Sequence, residues 1–293
     1  MDKTADLPEH IGEYDNDGFT IFRNAIDASL VAETRSHIDW LLEQHPGTRP
    51  EMLTHDMITR DAFWVRLVSD PRLLDIAEAF LGSDLALFAS HYICKPPGTG
   101  QAVLWHQDGG YWPLEPMDVV TLWLAVDRSD QGNGCMKIIP GTQDSDLKEV
   151  QKRSDIENVL GSGIDESYVD EDRAVDVVLD PGDVSVHHPN IIHGSYANTS
   201  ERWRRGLTIR YIPTSTRIVT ESSNPDIESS VRLDAGPFPS AFLLRGSADS
   251  GVNVFNPWPA YNPESSVDFA GSERWNEHIK TWNEKNRQHL RNS

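Results

Sequence analysis

Cysteine is scarce in this sequence of 293 residues, which contains only Cys94 and Cys135. Two thiols exclude a disulfide framework and a cysteine-rich zinc or iron–sulfur site, and they fit a reducing compartment. No run of the sequence approaches the ~20 apolar residues of a membrane-spanning helix. The first ten residues also lack the apolar core of a signal peptide. We therefore expect a cytoplasmic protein that does not enter a membrane.

Positive charge is also scarce in the sequence. The chain has 26 Lys and Arg residues against 46 Asp and Glu residues, and its formal net charge is −20. Nucleic acids and anionic membranes are bound by basic surfaces, so this acidity argues against both kinds of partner. Hydrophobic residues make up 38% of the chain, which is enough to form a substantial core.

The N-terminal part of the chain has the pattern of one short strand followed by helices. Residues 17–26 predict the strand, and Asp27 is placed to cap a helix whose apolar residues recur at helical spacing. A second helical region covers residues 60–81. Within it, Asp70 followed by Pro71 is typical of an N-cap and a first helical residue, and therefore predicts a restart of the helix.

Short strand-like runs, separated by Gly, Pro, Asn and Asp, begin after residue 82. They cover residues 84–94, 102–108, 119–127, 135–139, 174–179, 183–188 and 206–212. Seven such strands behind a helical region predict a mainly β fold with flanking helices, in the form of a jelly roll. We expect a single domain made of an N-terminal helical buttress at 16–82, a jelly-roll core at about 84–213 and a C-terminal extension at 214–293.

Three further stretches have distinct compositions. Residues 144–173 are polar and acidic, which fits either a lid or a surface insertion. Residues 214–264 are rich in Pro, Ser and Asn and are hard to assign to any element. After them, Trp275, Ile279 and Trp282 recur at helical spacing and predict an amphipathic C-terminal helix that packs on the body of the protein.

The sequence WHQDGGYW places His106 and Asp108 two residues apart on a predicted strand. Residues i and i+2 of a strand point to the same face, so the imidazole and the carboxylate would project into the same space. A second histidine from a distant strand would complete a set of two histidines and one carboxylate, which leaves positions open on a bound iron(II). His193, which follows a strand-like run in NIIHGS, is the best candidate.

This metal site has competing interpretations, because a single His-x-Asp pair occurs by chance in many proteins. The chain has eleven histidines, so a distant partner is easily found. His187 and His188 compete with His193 for the third position. They lie in VSVHHPN just before a proline, where we expect them to end a strand or to line a turn.

Three segments together identify a family. CKPPGTGQAVLWHQD, NGCMKIIPGT and HGSYANTSERWRRGLTIRY occur in this order, and with them the chain resembles the phytanoyl-CoA dioxygenase family of iron(II)- and 2-oxoglutarate-dependent oxygenases over roughly residues 16–213. The resemblance implies a double-stranded β-helix, which is the jelly roll that the strand pattern also predicts. It further implies Fe(II) as the metal, 2-oxoglutarate and dioxygen as co-substrates, and a small molecule as the substrate.

The same resemblance implies that His106, Asp108 and His193 hold the iron. The family has an arginine eleven residues after its distal histidine, and that position is Arg204. A guanidinium binds a carboxylate through two parallel hydrogen bonds, which suits the distal carboxylate of 2-oxoglutarate. Arg205 is the neighbouring alternative, but on a strand it would point to the opposite face.

Other residues match the family less closely. Arg202 and Arg210 share the parity of Arg204 but do not match the family's position for the anchor. Trp123 matches a tryptophan that contacts the co-substrate in relatives, although plain core packing is its alternative role. His91 lies where relatives place another co-substrate contact of a different residue type.

Tyr111 and Trp112 directly follow the His-x-Asp pair, and they fit either the wall of a substrate pocket or the packing of a lid.

The activity implied is hydroxylation of an unactivated C–H bond, with conversion of 2-oxoglutarate to succinate and carbon dioxide. Halogenating relatives have a small residue where this chain has Asp108, so hydroxylation is favoured over halogenation. Desaturation, epimerisation or ring formation on a secondary metabolite is the alternative outcome of the same oxidative chemistry. Two other classes of protein remain as alternatives. One is a non-catalytic jelly-roll binding module, and the other is a cupin-like zinc hydrolase or isomerase in which Arg204 would have no role.

Overall fold

The computed structural model describes residues 6–54, 61–219, 241–249, 251–256 and 268–277, together with residues 280, 281 and 284. None of the helices in these ranges is long and apolar enough to cross a membrane.

Four α-helices precede most of the strands. They are α1 (Leu7–Asp17), α2 (Ala28–Gln44), α3 (Ala62–Val68) and α4 (Pro71–Leu81). The predicted caps are confirmed, because the side chain of Asp27 accepts a hydrogen bond from the backbone of Leu30 and that of Asp70 accepts one from the backbone of Arg72. Each cap satisfies a backbone N–H that a helix start leaves without an intrahelical partner. The helical region predicted at 60–81 is therefore divided at Asp70 into two helices.

Fourteen strands are described. They are β1 (Phe19–Phe22), β2 (Leu85–Tyr92), β3 (Val103–His106), β4 (Leu114–Glu115), β5 (Val120–Ala125), β6 (Met136–Ile138), β7 (Gln151–Lys152), β8 (Ser162–Gly163), β9 (Val175–Val177), β10 (Val184–His187), β11 (His193–Ser195), β12 (Gly206–Pro213), β13 (Arg217–Ile218) and β14 (Phe242–Arg245). Each of the seven predicted runs contains one of these strands.

Two antiparallel sheets form the body of the fold. The larger has the order β1-β10-β5-β12-β2-β14, and the smaller has the order β3-β11-β6-β9. Neighbours in both sheets are distant in sequence, and the two short pairs β4–β13 and β7–β8 lie beside them. Two sheets of this topology, with helices on one side, confirm the predicted jelly roll, a mainly β fold with flanking helices.

Strand β5 shows how the layers are held together, because all six of its residues are buried. Leu122 and Leu124 belong to the large core between the six-stranded sheet and the helices. Trp123 and Ala125 point the other way and pack with Met136 of the smaller sheet. Alternate residues of a strand face opposite sides, so β5 contributes to the buttress on one face and to the space between the sheets on the other.

The C-terminal part of the described chain returns to this core. Residues 272–277 are helical, and Trp275 is buried with its ring 5.3 Å from that of Phe63 in an edge-on arrangement. Its indole N–H also donates a hydrogen bond to Glu33. Ile279 and Trp282 of the predicted helix lie outside the described residues. The shared core supports the expectation of a single domain, which stays a prediction.

Candidate metal and co-substrate site

His106, Asp108 and His193 come together at the end of the smaller sheet. His106 is the last residue of β3, and His193, the first residue of β11, lies directly opposite it in the antiparallel register. Each of the three residues offers one ligand atom, and the three atoms lie within 4.8 Å of one another. Strand β3 ends two residues earlier than predicted, and Asp108 begins a single 3₁₀ turn. Gln107 keeps an extended backbone (φ −121°, ψ 122°), so Asp108 still faces the same space as His106.

The two imidazoles are oriented by backbone carbonyls. His106 Nδ1 lies 2.8 Å from Leu104 O, and His193 Nδ1 lies 3.0 Å from Ile191 O. A carbonyl only accepts, so in both bonds Nδ1 carries the proton and Nε2 keeps a lone pair, as a metal ligand requires. Burial also holds the pKa of His193 well below its usual value, which keeps this imidazole neutral.

The carboxylate of Asp108 is buried, yet it is the charged form that the site favours. Burial by itself raises the pKa of this group, but the positive charge of Arg210, together with the nearby imidazoles of His106 and His187, holds it well below the usual value. Its Oδ1 lies 3.4 Å from His106 Nε2, and its Oδ2 faces Thr121, whose hydroxyl is 3.5 Å away. A deprotonated carboxylate beside neutral imidazoles is the protonation state in which such groups bind a metal.

Close approach of the strands makes a glycine necessary after His193. A Cβ atom at Gly194 would lie 3.0 Å from Val103 O and 3.2 Å from Trp105 N, both on strand β3. The backbone of β3 cannot yield easily, because it carries His106. A side chain at residue 194 would therefore separate the two strands whose pairing brings the histidines together.

A cavity of about 320 Å³ lies between the two sheets and opens over the three residues. All eight candidate residues predicted from the sequence line this cavity. They are His106, Asp108, His193, Arg204, Trp123, His91, Tyr111 and Trp112. Residues 158–161 also line it, so the segment 144–173 contributes part of the cavity wall through the loop between β7 and β8.

Arg204 is buried and lines the cavity just before β12. Its guanidinium lies over the ring of Trp123, 5.2 Å from the centroid, and its Nε and Nη2 have no hydrogen-bond partner among the described residues. Burial lowers the pKa of Arg204 to about 10, so the group remains charged at neutral pH. Leaving two N–H groups of a buried cation without partners costs free energy, and this fits a site built to receive an anion.

The neighbouring arginines point elsewhere, as strand alternation predicts for Arg205. Arg205 forms an ion pair with Asp127 at 2.7 Å on the opposite face, and Arg202 pairs with Asp130 at 2.8 Å. Arg204 therefore differs from both in having no carboxylate partner among the described residues. Arg210 is the exception: it lines the cavity, with its Nη2 3.8 Å from Asp108 Oδ2.

The structure places His187 at the end of a strand and His188 in a turn, which are the positions expected for them, and His187 also reaches the site. His187 does end strand β10, but it is buried, lines the cavity and has its Nε2 3.9 Å from Asp108 Oδ2. Pairing of β10 with β5 places it opposite Thr121, a non-local neighbour that the local sequence does not reveal. His188 faces away from the cavity, and its Nδ1 accepts a hydrogen bond from the backbone of Asn190 in the turn.

The two aromatic residues after Asp108 line the cavity in different ways. The Tyr111 hydroxyl lies 3.0 Å from Ser162 Oγ, and burial raises the pKa of Tyr111 to about 12, so the hydroxyl stays protonated. Trp112 is part of a small apolar core with Phe88, to which its ring is edge-on at 5.9 Å. Trp112 therefore lines the cavity and packs in this core, whereas a role in the packing of a lid stays a prediction.

Comparison with known proteins places this site in a family. The family model described as phytanoyl-CoA dioxygenase matches residues 14–206. The peroxisomal phytanoyl-CoA dioxygenase of Homo sapiens is 26% identical over 274 residues, which cover 84% of this chain and 78% of that protein. A probable alpha-ketoglutarate-dependent hypophosphite dioxygenase of Stutzerimonas stutzeri is 32% identical over 149 residues, which cover 50% of this chain and 51% of that protein.

Solved structures agree on the fold. The non-heme monooxygenase ThoJ matches with a TM-score of 0.69 and 24% identity, covering 98% of this chain and 100% of that chain. The non-heme alpha ketoglutarate dependent epimerase SnoN from nogalamycin biosynthesis matches with a TM-score of 0.62 and 21% identity, covering 85% and 98%. Because the family model spans about two thirds of the sequence and includes His106, Asp108, His193 and Arg204, this chain belongs to the phytanoyl-CoA dioxygenase family.

Proposed function

We propose that this protein is an iron(II)- and 2-oxoglutarate-dependent dioxygenase that hydroxylates an unactivated C–H bond of a small molecule and releases succinate and carbon dioxide. The observation that carries the proposal is the buried guanidinium of Arg204, two of whose nitrogens have no hydrogen-bond partner in the described part of the chain. It lies in the same cavity as His106, Asp108 and His193. A binding module or a zinc hydrolase of the same fold would give no reason for such a group.

Within this proposal, the imidazoles of His106 and His193 and the carboxylate of Asp108 would hold Fe(II). The chemistry that iron supplies when bound is the activation of dioxygen coupled to the decarboxylation of 2-oxoglutarate, which amino-acid side chains cannot perform. The protein's own contribution is to bind and orient. Arg204 would hold the distal carboxylate of 2-oxoglutarate through two parallel hydrogen bonds, while Trp123 keeps the guanidinium in place.

The residue type at position 108 bears on the outcome of the oxidation. The presence of Asp108 in the site favours hydroxylation over halogenation. Desaturation, epimerisation or ring formation is the alternative, and it is favoured by the similarity in fold to the epimerase SnoN and to the carbocyclase SnoK from nogalamycin biosynthesis. Cys94 and Cys135 are both buried free thiols, which fits the cytoplasmic location predicted from the sequence.

Replacing Arg204 with lysine tests the co-substrate directly. The variant Arg204→Lys keeps the positive charge but loses the planar two-point fit, and charge-assisted hydrogen bonds contribute roughly 1.5–3 kcal/mol each. We expect the apparent KM for 2-oxoglutarate to rise about ten- to a hundredfold, at ~1.4 kcal/mol per decade. Iron content should be unchanged, because residue 204 is not a ligand. The measurement is succinate formation at saturating iron as 2-oxoglutarate is varied.

Arg205→Lys is the matched control, because Arg205 points to the opposite face and pairs with Asp127. Its KM for 2-oxoglutarate should stay within about threefold of the parent value, because the Arg205 side chain does not line the cavity. If neither variant changes this KM, Arg204 does not bind the co-substrate, and 2-oxoglutarate itself comes into question.

The position of Trp123 depends on the absence of a side chain at Gly206. A Cβ atom at residue 206 would lie 2.2 Å from Trp123 Cζ2, closer than any real contact. Gly206→Ala should therefore move the indole away from Arg204 and weaken a cation–π contact worth about 0.5–2 kcal/mol. We expect the KM for 2-oxoglutarate to rise roughly three- to thirtyfold, measured as for Arg204→Lys. Gly12→Ala is the control, because a Cβ atom there has no neighbour within 4 Å. Equal KM values in both variants would contradict a role for Trp123.

A further inference from the structure

The cavity contains a second buried arginine that the proposed function does not use. Arg210, on β12, is buried and lines the cavity. Its Nη1 donates hydrogen bonds to His91 Nδ1 at 3.0 Å and to Thr208 Oγ1 at 2.9 Å, and its guanidinium lies 5.1 Å from the centroid of the Trp112 ring. These contacts hold the group in one orientation.

The opposite edge of this guanidinium faces the cavity. Nε has no hydrogen-bond partner among the described residues, and Nη2 lies 3.8 Å from Asp108 Oδ2, beyond hydrogen-bond distance. Nε and Nη2 are the same two nitrogens that are free in Arg204. They lie on one edge of the planar group and together fit a carboxylate through two parallel hydrogen bonds.

The two arginines are too far apart to serve one small anion. They are six residues apart along the same extended segment, which corresponds to roughly 20 Å between their Cα atoms at ~3.3 Å per residue. Arg204 lies over Trp123, whereas Arg210 pairs across the sheet with Thr121, beside Asp108. The distal carboxylate of a 2-oxoglutarate molecule held by Arg204 therefore does not reach the edge of Arg210.

A charge count shows why this edge needs a partner. Among the described residues, four formally charged side chains line the cavity: Glu51, Asp108, Arg204 and Arg210. Glu51 is paired with Arg49 at 3.1 Å. With iron(II) and 2-oxoglutarate bound, Asp108 and the keto acid carboxylate contribute one negative charge each, and together they offset the two positive charges of Fe(II). The distal carboxylate of 2-oxoglutarate offsets the positive charge of Arg204. Arg210 is left as one buried positive charge, which is costly unless an anion accompanies it.

We infer that Arg210 binds a carboxylate of the primary substrate, so that the substrate class is that of small carboxylic acids. The inference rests on the proposed function, because the charge count assumes bound iron and 2-oxoglutarate. A single remaining charge matches a carboxylate better than a dianionic phosphate ester. Trp112 and Tyr111 also line the cavity, and their rings offer apolar surface for the carbon skeleton of such a substrate.

The test uses matched pairs of acids and amides as probes, namely benzoate with benzamide and hexanoate with hexanamide. The protein is saturated with iron(II) and 2-oxoglutarate without oxygen, and binding of each probe is titrated by ligand-observed NMR. In the parent we expect each carboxylate to bind at least about tenfold more tightly than its amide, because charge-assisted bidentate pairs are the strong ones. Arg210→Gln should remove this preference, and Arg205→Gln should retain it.

Iron and 2-oxoglutarate affinities are measured first in all three proteins. Parent protein that binds neither would end the proposed function and this inference together. If the parent binds both but shows no preference for carboxylates, or if the preference persists in Arg210→Gln, the inference alone is wrong. A loss of iron affinity of tenfold or more in Arg210→Gln would also overturn it, because Arg210 would then serve to hold Asp108.

Discussion

Asp108→Ala is expected to abolish iron binding and succinate formation together. The substitution removes one of three ligands and the only carboxylate among them, so two neutral imidazoles would have to bind a dication without compensation of its charge. It also removes the carboxylate that lies 3.8 Å from Arg210. Losing a residue that merely supports a ligand costs 10–100-fold in metal affinity, so we expect a loss of more than about a hundredfold for the ligand itself.

The measurement is iron(II) bound per chain after anaerobic dialysis, together with succinate formed from 2-oxoglutarate. Asp108→Asn is the matched variant, because it keeps the size of the side chain and removes its charge. Circular dichroism of both variants establishes that they are folded. Undiminished turnover in Asp108→Ala would remove Asp108 from the metal site.

His193→Ala should have an effect of the same order, whereas His188→Ala should leave iron binding intact. His193 offers its Nε2 to the site from a buried position opposite His106, and loss of that ligand should lower iron affinity by more than about a hundredfold. His188 faces away from the cavity and accepts a hydrogen bond from the backbone of Asn190. Its replacement should lower stability by about 1 kcal/mol, the typical net value of one hydrogen bond.

Iron titrations and thermal unfolding of the two variants separate these effects. His187→Ala is not an equivalent control, because His187 lies 3.9 Å from Asp108 Oδ2 and lines the cavity. The assignment of ligands fails if His188→Ala loses iron while His193→Ala retains it.

The parts of the fold that the sequence predicts well are those with a local signal. Asp27 and Asp70 mark helix starts because a carboxylate next to a helix start satisfies backbone N–H groups within three residues of it. The strand runs are recognisable because their residues are buried on one or both faces. Helix α1 was missed because its apolar stripe is short, consisting of Leu7, Ile11 and Tyr14, and none of its residues is buried. The short pair β4–β13 was missed because its pairing joins residues about a hundred positions apart.

The candidate site likewise contains some residues with a local signal in the sequence and others without one. His106, Asp108, His193 and Arg204 were recognisable because their spacing within two short segments carries the resemblance to the family. Arg210 has the same parity as Arg204, which lies just before β12, and that parity was the available signal. Only the fold shows that the neighbours of Arg210 are Asp108 and His91. His187 gave no usable local signal, since its position in the site follows from the pairing of β10 with β5.

The loop between β7 and β8 supplies one end of the cavity wall without supplying any of the three ligands. It is joined to the rest of the site by the bridge between Ala102 and Asn158 and by the bond from Ser162 to Tyr111. The ligands, in contrast, are fixed by the register of β3 with β11. Insertions, deletions or substitutions in this loop can therefore reshape the space for a substrate while the metal centre keeps its geometry. In evolution or in directed mutagenesis, substrate preference can thus diverge in this chain independently of its oxidative chemistry.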